Sequence, residues 1–170
     1  MNAVVIVPII VAVVAAAWDL KTRKIPNFLT FGAALGGIAV HTYFSGIPGA
    51  MWSAAGWLVG FAVFFPFFAL GGMGAGDVKL VAGIGAWLGP ASTVWVALFS
   101  LAAGGIIGLL VALGYGYFTQ ALTNISWMFQ FWRAEGPRPV PQLTLATHRG
   151  PRLAYAVPVL VGLMVTIWLQ

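Results

Sequence analysis

Only three carboxylates occur in this 170-residue chain: Asp19, Asp77 and Glu135. Glu135 stands in a polar stretch among arginines, where a solvated charge needs no further role. Asp19 and Asp77 each adjoin a long apolar run, in "AAAWDLKTRK" and "GGMGAGDVKL". Ionisable groups at such places are costly enough that function is the default reading. Two carboxyl groups brought close together cannot both ionise, so they share one proton and take opposite roles. The ionised one draws a proton from water while the protonated one polarises a peptide carbonyl. The chemistry is hydrolysis of an amide with neither a metal nor a covalent intermediate. Gly74 and Gly76 suit it, because a bare backbone lets an extended substrate strand approach Asp77 and permits positive φ at the turn. Lys79 is a further candidate for contact with substrate.

Each acid also has a plain structural reading. Asp77 could be the N-cap of the helix that follows it, and Asp19 could offset Lys21 and Arg23 at an interface. Gly74 and Gly76 could merely punctuate helices, as Gly71 and Gly72 already do after the preceding apolar run. The two acids together argue against coincidence, since a chain that otherwise excludes acids keeps a pair at one membrane depth.

The elements that must position the pair follow from composition. Hydrophobic residues make up 61% of the chain and charged residues 6%, and the mean hydropathy of +0.99 exceeds what a solvated domain carries. The expectation is an integral membrane protein whose standing partner is the lipid bilayer. Eight basic residues and a formal charge of +5 are too sparse for a nucleic-acid footprint. The absence of cysteine excludes disulfides and thiolate metal sites, and no motif calls for a cofactor or metal. Six apolar segments are expected to form an all-α bundle of six transmembrane helices in a single domain over 1–170. They cover 2–18, 28–44, 50–70, 78–88, 92–118 and 153–169, the fourth being short for a bilayer.

Charge bias sets the orientation. Lys21, Arg23, Lys24, Lys79, Arg133, Arg138, Arg149 and Arg152 all fall on one side of this six-segment arrangement, which makes that side cytoplasmic and puts both termini outside. His41 and His148 then lie on opposite sides and cannot share a metal. The loop at 119–152 begins with an aromatic and polar stretch suited to a helix lying on the cytoplasmic leaflet, and "GPRPVPQ" breaks it. The pairs Gly32 and Gly36, Gly56 and Gly60, Gly85 and Gly89, and Gly104 and Gly108 have the spacing of close helix packing. Pro158 is expected to kink the last helix.

Two stretches together resemble a known family. "GAGDVKL" at 74–80 is similar to the GxGD signature of intramembrane-type aspartyl peptidases. "WDLKTRKIPN" at 18–27 is similar to the aspartate-containing element of the type IV prepilin peptidases, in the same order and spacing. "GAWLG" at 85–89 and "RLAYAVPVLVG" at 152–162 also resemble later segments of that family. The resemblance implies a membrane aspartyl endopeptidase of the bacterial inner membrane. It would cleave the basic leader from prepilin or pseudopilin substrates at the cytoplasmic face, in the service of pilus or secretion machinery. Asp19 and Asp77 would be its catalytic pair, with Gly74 and Gly76 as motif positions and Lys79 beside them. Larger members carry a cysteine-rich insertion and methylate the new pilin terminus. This chain lacks both insertion and cysteine, so it resembles the small form associated with tight-adherence (Flp) pili, and N-methyltransferase activity does not carry over. Two other classes remain open: a proton- or cation-coupled transporter, whose acids would lie near the midplane, and a non-enzymatic secretion-assembly subunit, in which both aspartates would be replaceable.

Overall fold

A computed structural model of the chain describes residues 3–140, 143–144 and 153–169. His148, Arg149, Arg152 and the terminal Gln170 lie outside the described residues, so the expectations placed on them are not addressed by it. Five helices and no strands occur among the described residues: α1 (Ala3–Thr22), α2 (Asn27–Ala69), α3 (Ala75–Gly114), α4 (Phe118–Glu135) and α5 (Ala156–Leu169). α1, α2 and α3 are long and apolar enough to cross a membrane, and α5 is a shorter apolar helix.

Six separate helices were expected, and the difference lies in how the segments join. The second segment and all but the last residue of the third fall within α2, and the fourth and the fifth as far as Gly114 within α3. A straight helix of 43 residues would measure about 65 Å, twice the roughly 30 Å of a hydrocarbon core. α2 is not straight. Gly46 adopts φ 59° and ψ −145°, a region nearly closed to residues with a side chain. Beyond it the His41 and Trp52 rings stand with centroids 4.7 Å apart. Residues eleven apart cannot meet in a straight helix, so the chain turns back at Gly46. Gly89, with φ 73° and ψ 177°, does the same in α3. There the position a Gly85 side chain would occupy lies 2.9 Å from the Thr93 hydroxyl. In both places a proline, Pro48 or Pro90, opens the returning half, where a missing N–H costs little.

The short half of α3, residues 75–88, forms the centre of the bundle. Val78, Leu80, Val81, Ala82, Ile84, Ala86 and Trp87 are all buried. Both halves of α2 flank it. The Trp87 indole donates to the Ala33 carbonyl at 2.7 Å, and the Ser53 hydroxyl donates to the Ala86 carbonyl at 2.6 Å. Gly56 meets Gly85 backbone to backbone, and Gly60 packs on Val81 and Ala82, so the returning half of α2 runs antiparallel to this half of α3. These glycines serve close packing, as their spacing implied. Gly32 and Gly108 instead face open space.

α5 packs antiparallel to the returning half of α3, with Gly162 against Ser100 and Val96, and Tyr155 against Gly104. Pro158 does not kink it. α5 begins at Ala156, so Pro158 sits in the first turn, where backbone N–H groups have no intrahelical acceptor. α4 is a helix, as the aromatic and polar stretch predicted, and none of its residues is buried. Gly136, with φ 81°, ends it.

Candidate active site

Asp19 lies in the last turns of α1, an otherwise apolar helix, and only 6% of its surface is exposed. It is therefore not a solvated interfacial charge. Its Oδ2 accepts the Ala156 N–H at 3.3 Å. Ala156 opens α5, and its N–H is one of the donors that a helix start leaves without an internal partner.

Asp77 sits in the first turn of α3, and its position corrects the capping expectation. The N-cap is Gly74, and Asp77 is the third helical residue. Its Oδ2 reaches back to accept the Gly74 N–H at 3.2 Å, the return half of a capping box. The two carboxyls, 58 positions apart by number (77 minus 19), interact electrostatically across the gap between α1 and α3. Two helix N-termini thus converge on the pair, with the start of α5 at Asp19 and the start of α3 around Asp77. Backbone dipoles at such ends favour negative charge.

The connector between α1 and α2 locks this geometry. Arg23 takes a left-handed conformation with φ 56°, and its N–H bonds to the Asp19 carbonyl at 2.9 Å. Ile25 then packs on Gly76, where an added Cβ would stand 3.1 Å from the Ile25 Cβ. The bare face of Gly76 therefore looks onto the protein's own chain, which corrects the expectation that it opens directly toward a substrate strand. Gly74 is the glycine that meets the acid: an added Cβ there would lie 3.1 Å from Asp77 Oδ2. Lys79 donates to Asn27 Oδ1 at 3.0 Å and lies over the Phe31 ring, 5.2 Å from its centroid. Its ammonium ties the two motif stretches together.

The pair's surroundings also include residues that spacing alone did not single out. Tyr155 comes within electrostatic range of Asp77, and its ring meets Phe64 edge to face at 6.0 Å. Ala156, in the same turn, meets Asp19 through its N–H. Its only sequence signal was its place within "RLAYAVPVLVG". Glu135, exposed at the end of α4, takes no part. Among the described residues no cluster of three or more His, Asp or Glu could hold a metal ion.

The fold and site define an all-helical, membrane-type protein with a buried aspartate joined to a second across two helices. Comparison with known proteins carries this further. The profile of the type IV leader peptidase family matches residues 6–113, a stretch that holds both aspartates, Gly74, Gly76 and Lys79. A prepilin leader peptidase/N-methyltransferase of Burkholderia pseudomallei (strain 1026b) is 34% identical over 101 residues, covering 56% of this chain and 33% of the relative. A protein of the same name from Aeromonas salmonicida (strain A449) is 36% identical over 100 residues, covering 54% of this chain and 33% of the relative. The match thus spans about a third of the length of these relatives. No solved structure matches the chain. This chain belongs to the type IV leader peptidase family.

Proposed function

We propose that the chain is a membrane aspartyl endopeptidase that removes the leader peptide from prepilin-like substrates, with Asp19 and Asp77 activating water. The observation that carries this reading is the pairing itself. Two of the three acids in the chain come from separate helices to one end of the bundle, each held by a backbone N–H from a helix start. One carboxyl of the pair holds the shared proton and polarises the scissile carbonyl. The other takes a proton from water as it attacks. The tetrahedral intermediate then collapses when the leaving nitrogen is protonated from the pair. No covalent bond to the protein forms.

The arrangement proposed for the membrane is six crossings, made by α1, the two halves of α2, the two halves of α3, and α5. The aspartate end then faces the cytoplasm of the bacterial inner membrane, and both chain ends lie outside. Three structural facts support it: the reversals at Gly46 and Gly89, the antiparallel packing of α5 on α3, and the gathering of Lys21, Arg23, Lys24 and Lys79 around the aspartate end. Only four residues, 23–26, join α1 to α2. That short connector leaves no room for an insertion between α1 and α2. A coupled transporter fits less well, because Val81, Ile84, Val96, Val159 and Leu163 fill the core without exposure, where a carrier would need a path.

The test is cleavage of a purified prepilin-like substrate by the purified protein in lipid. Asp19→Asn and Asp77→Asn should each abolish cleavage almost as fully as the double variant, because the pair acts as a unit. The wild type should show a bell-shaped pH profile whose limits belong to the pair. Independent, additive losses, or full activity in either variant, would refute the reading.

A further inference from the structure

α4 is covered on the side that water would suit and bare on the side that it would not. Phe118, Leu122, Ile125 and Phe129 recur every three or four residues, so they form one stripe along the helix. All four are exposed, by 37 to 57%. The chain that follows α4 folds back over the other side. Val140, itself buried, and Leu143 line a cavity of about 250 Å³ together with Gln120, Thr123, Asn124 and Trp127. At about 100° per residue those four helix positions lie opposite the stripe. The Trp132 indole holds this return, donating to the Arg138 carbonyl at 2.9 Å. A second cavity separates Ala121 and Asn124 from Gly108 and Ala112 of α3, so that edge looks toward the bundle. In water the loop would cover the apolar stripe and leave the polar side bare.

The position of α4 along the chain says what covers the stripe. The returning half of α3, residues 90–114, numbers 25 (114 minus 90 plus 1). It rises about 37 Å, more than the roughly 30 Å of a hydrocarbon core, so a helix that begins at Phe118 starts at the membrane boundary. Gly116, with φ 71°, turns the chain there. Tyr115 and Tyr117 on either side of it are exposed, as aromatic residues are at the level of the headgroups. The exposed apolar residues of α3, Leu109, Leu110 and Leu113, lead along the chain into the stripe. α4 has 18 residues, yet α1, α2 and α3 are the helices long and apolar enough to cross a membrane. At its far end two exposed arginines, Arg133 and Arg138, outnumber the exposed Glu135, a balance that suits anionic headgroups.

We infer that α4 is a membrane-surface helix at the aspartate end of the bundle, with the stripe of Phe118, Leu122, Ile125 and Phe129 set among the acyl chains of a leaflet that carries anionic headgroups. The polar side and the loop seated on it turn to water. The inference goes beyond the peptidase reading and does not depend on it, since it stands on packing and span length alone.

The chain has no cysteine, so a spin label on one introduced cysteine reports a single site. Single cysteine replacements from Phe118 to Gln130 are made in the full-length protein, labelled, and placed in vesicles of phosphatidylcholine and phosphatidylglycerol. Collisions of each label with oxygen, which concentrates among acyl chains, and with a water-soluble nickel chelate are then measured. The ratio of the two should oscillate with a period of about 3.6 residues. Oxygen should prevail at Phe118, Leu122, Ile125 and Phe129, and the chelate at Thr119, Ser126 and Gln130. Leu122→Gln with Ile125→Gln removes half of the stripe and should lower the ratio at Phe129. Vesicles of phosphatidylcholine alone should also lower it there, one turn before Arg133, and Arg133→Gln with Arg138→Gln should make it indifferent to that exchange of lipid.

Stripe sites reached by neither reagent would mean that protein covers them, and spin–spin broadening would show that protein to be a second copy of the chain. Either result would overturn the inference. Stripe sites open to the chelate would place α4 in water and overturn it equally. A ratio at Phe129 that ignores lipid charge in the unsubstituted helix would overturn the anionic assignment.

Discussion

Gly76→Ala separates two explanations of the glycine motif, and the structure sets the size of the effect. The new Cβ would stand 3.1 Å from the Ile25 Cβ and 3.6 Å from its Cγ1. Carbon atoms settle at about 3.5–4.0 Å, so the connector or the start of α3 must give by about half an ångström. A misplacement of about 1 Å at a reacting centre can cost about a hundredfold, so half that distance corresponds to roughly tenfold. We expect Gly76→Ala to accumulate normally in membranes and to cleave prepilin with kcat reduced about tenfold. Ile25→Gly deletes the two side-chain atoms that the methyl meets and leaves only the backbone nitrogen, at 3.6 Å, an ordinary contact distance. In a double-mutant cycle measured by steady-state cleavage, the double variant should therefore lose less than the product of the two single losses. Losses that multiply without coupling, with Gly76→Ala down a hundredfold or more, would refute this reasoning. They would mean that the methyl obstructs the substrate and not the protein's own connector.

Gly74→Ala should lower kcat several-fold, because the added Cβ at 3.1 Å from Asp77 Oδ2 must push the carboxylate by a few tenths of an ångström. The same cleavage assay would show it, and unchanged turnover would mean that the carboxyl rotates away freely. The topology can be read by labelling, since the cysteine-free chain makes any introduced cysteine unique. Ser45→Cys, beside the Gly46 reversal, should react with an impermeant thiol reagent from outside intact cells. Gly136→Cys, at the end of α4, should react only after lysis.

Much of this was legible in the sequence for definite physical reasons. Apolar runs long enough for a bilayer can only be helices or barrel strands, and runs without alternation favour helices, so the all-helical fold followed. The scarcity of acids singled out Asp19 and Asp77 before any geometry was known. What escaped depended on contacts between distant segments. Gly46 and Gly89 fell in the breaks at 45–49 and 89–91, but that each break is a single left-handed glycine inside one continuous run of helix depends on contacts the sequence does not show. The alternative reading of Asp77 as an N-cap followed from a capping side chain being expected at the boundary, whereas Gly74 takes that place and Asp77 bonds back from the first turn. Pro158 was expected to bend a helix whose start had been set three residues too early. The bare face of Gly76 was assigned to a substrate because Ile25, 51 positions earlier by number (76 minus 25), could not be placed against it. Ala156 carried no signal of its own: a small residue at the start of an apolar segment is ordinary until that segment is seen to begin at the Asp19 carboxyl.

The shortness of the central half of α3 has a consequence for hydration. Asp77 stands twelve residues before the reversal at Gly89 (89 minus 77), a helical rise of about 18 Å, whereas a hydrocarbon core is about 30 Å thick. With Gly89 near the outer boundary, as the proposed topology has it, the carboxyls lie well below the level of the opposite headgroups. Protein surrounds this half-helix, so its length need not match the lipid. The scissile bond must then descend to the acids, shedding its water on the way, and the one water molecule that reacts has to be admitted through the same opening. Prepilin turnover would on this account depend on how readily that recess fills and drains, and lipids that thicken the bilayer should slow it without altering the aspartates.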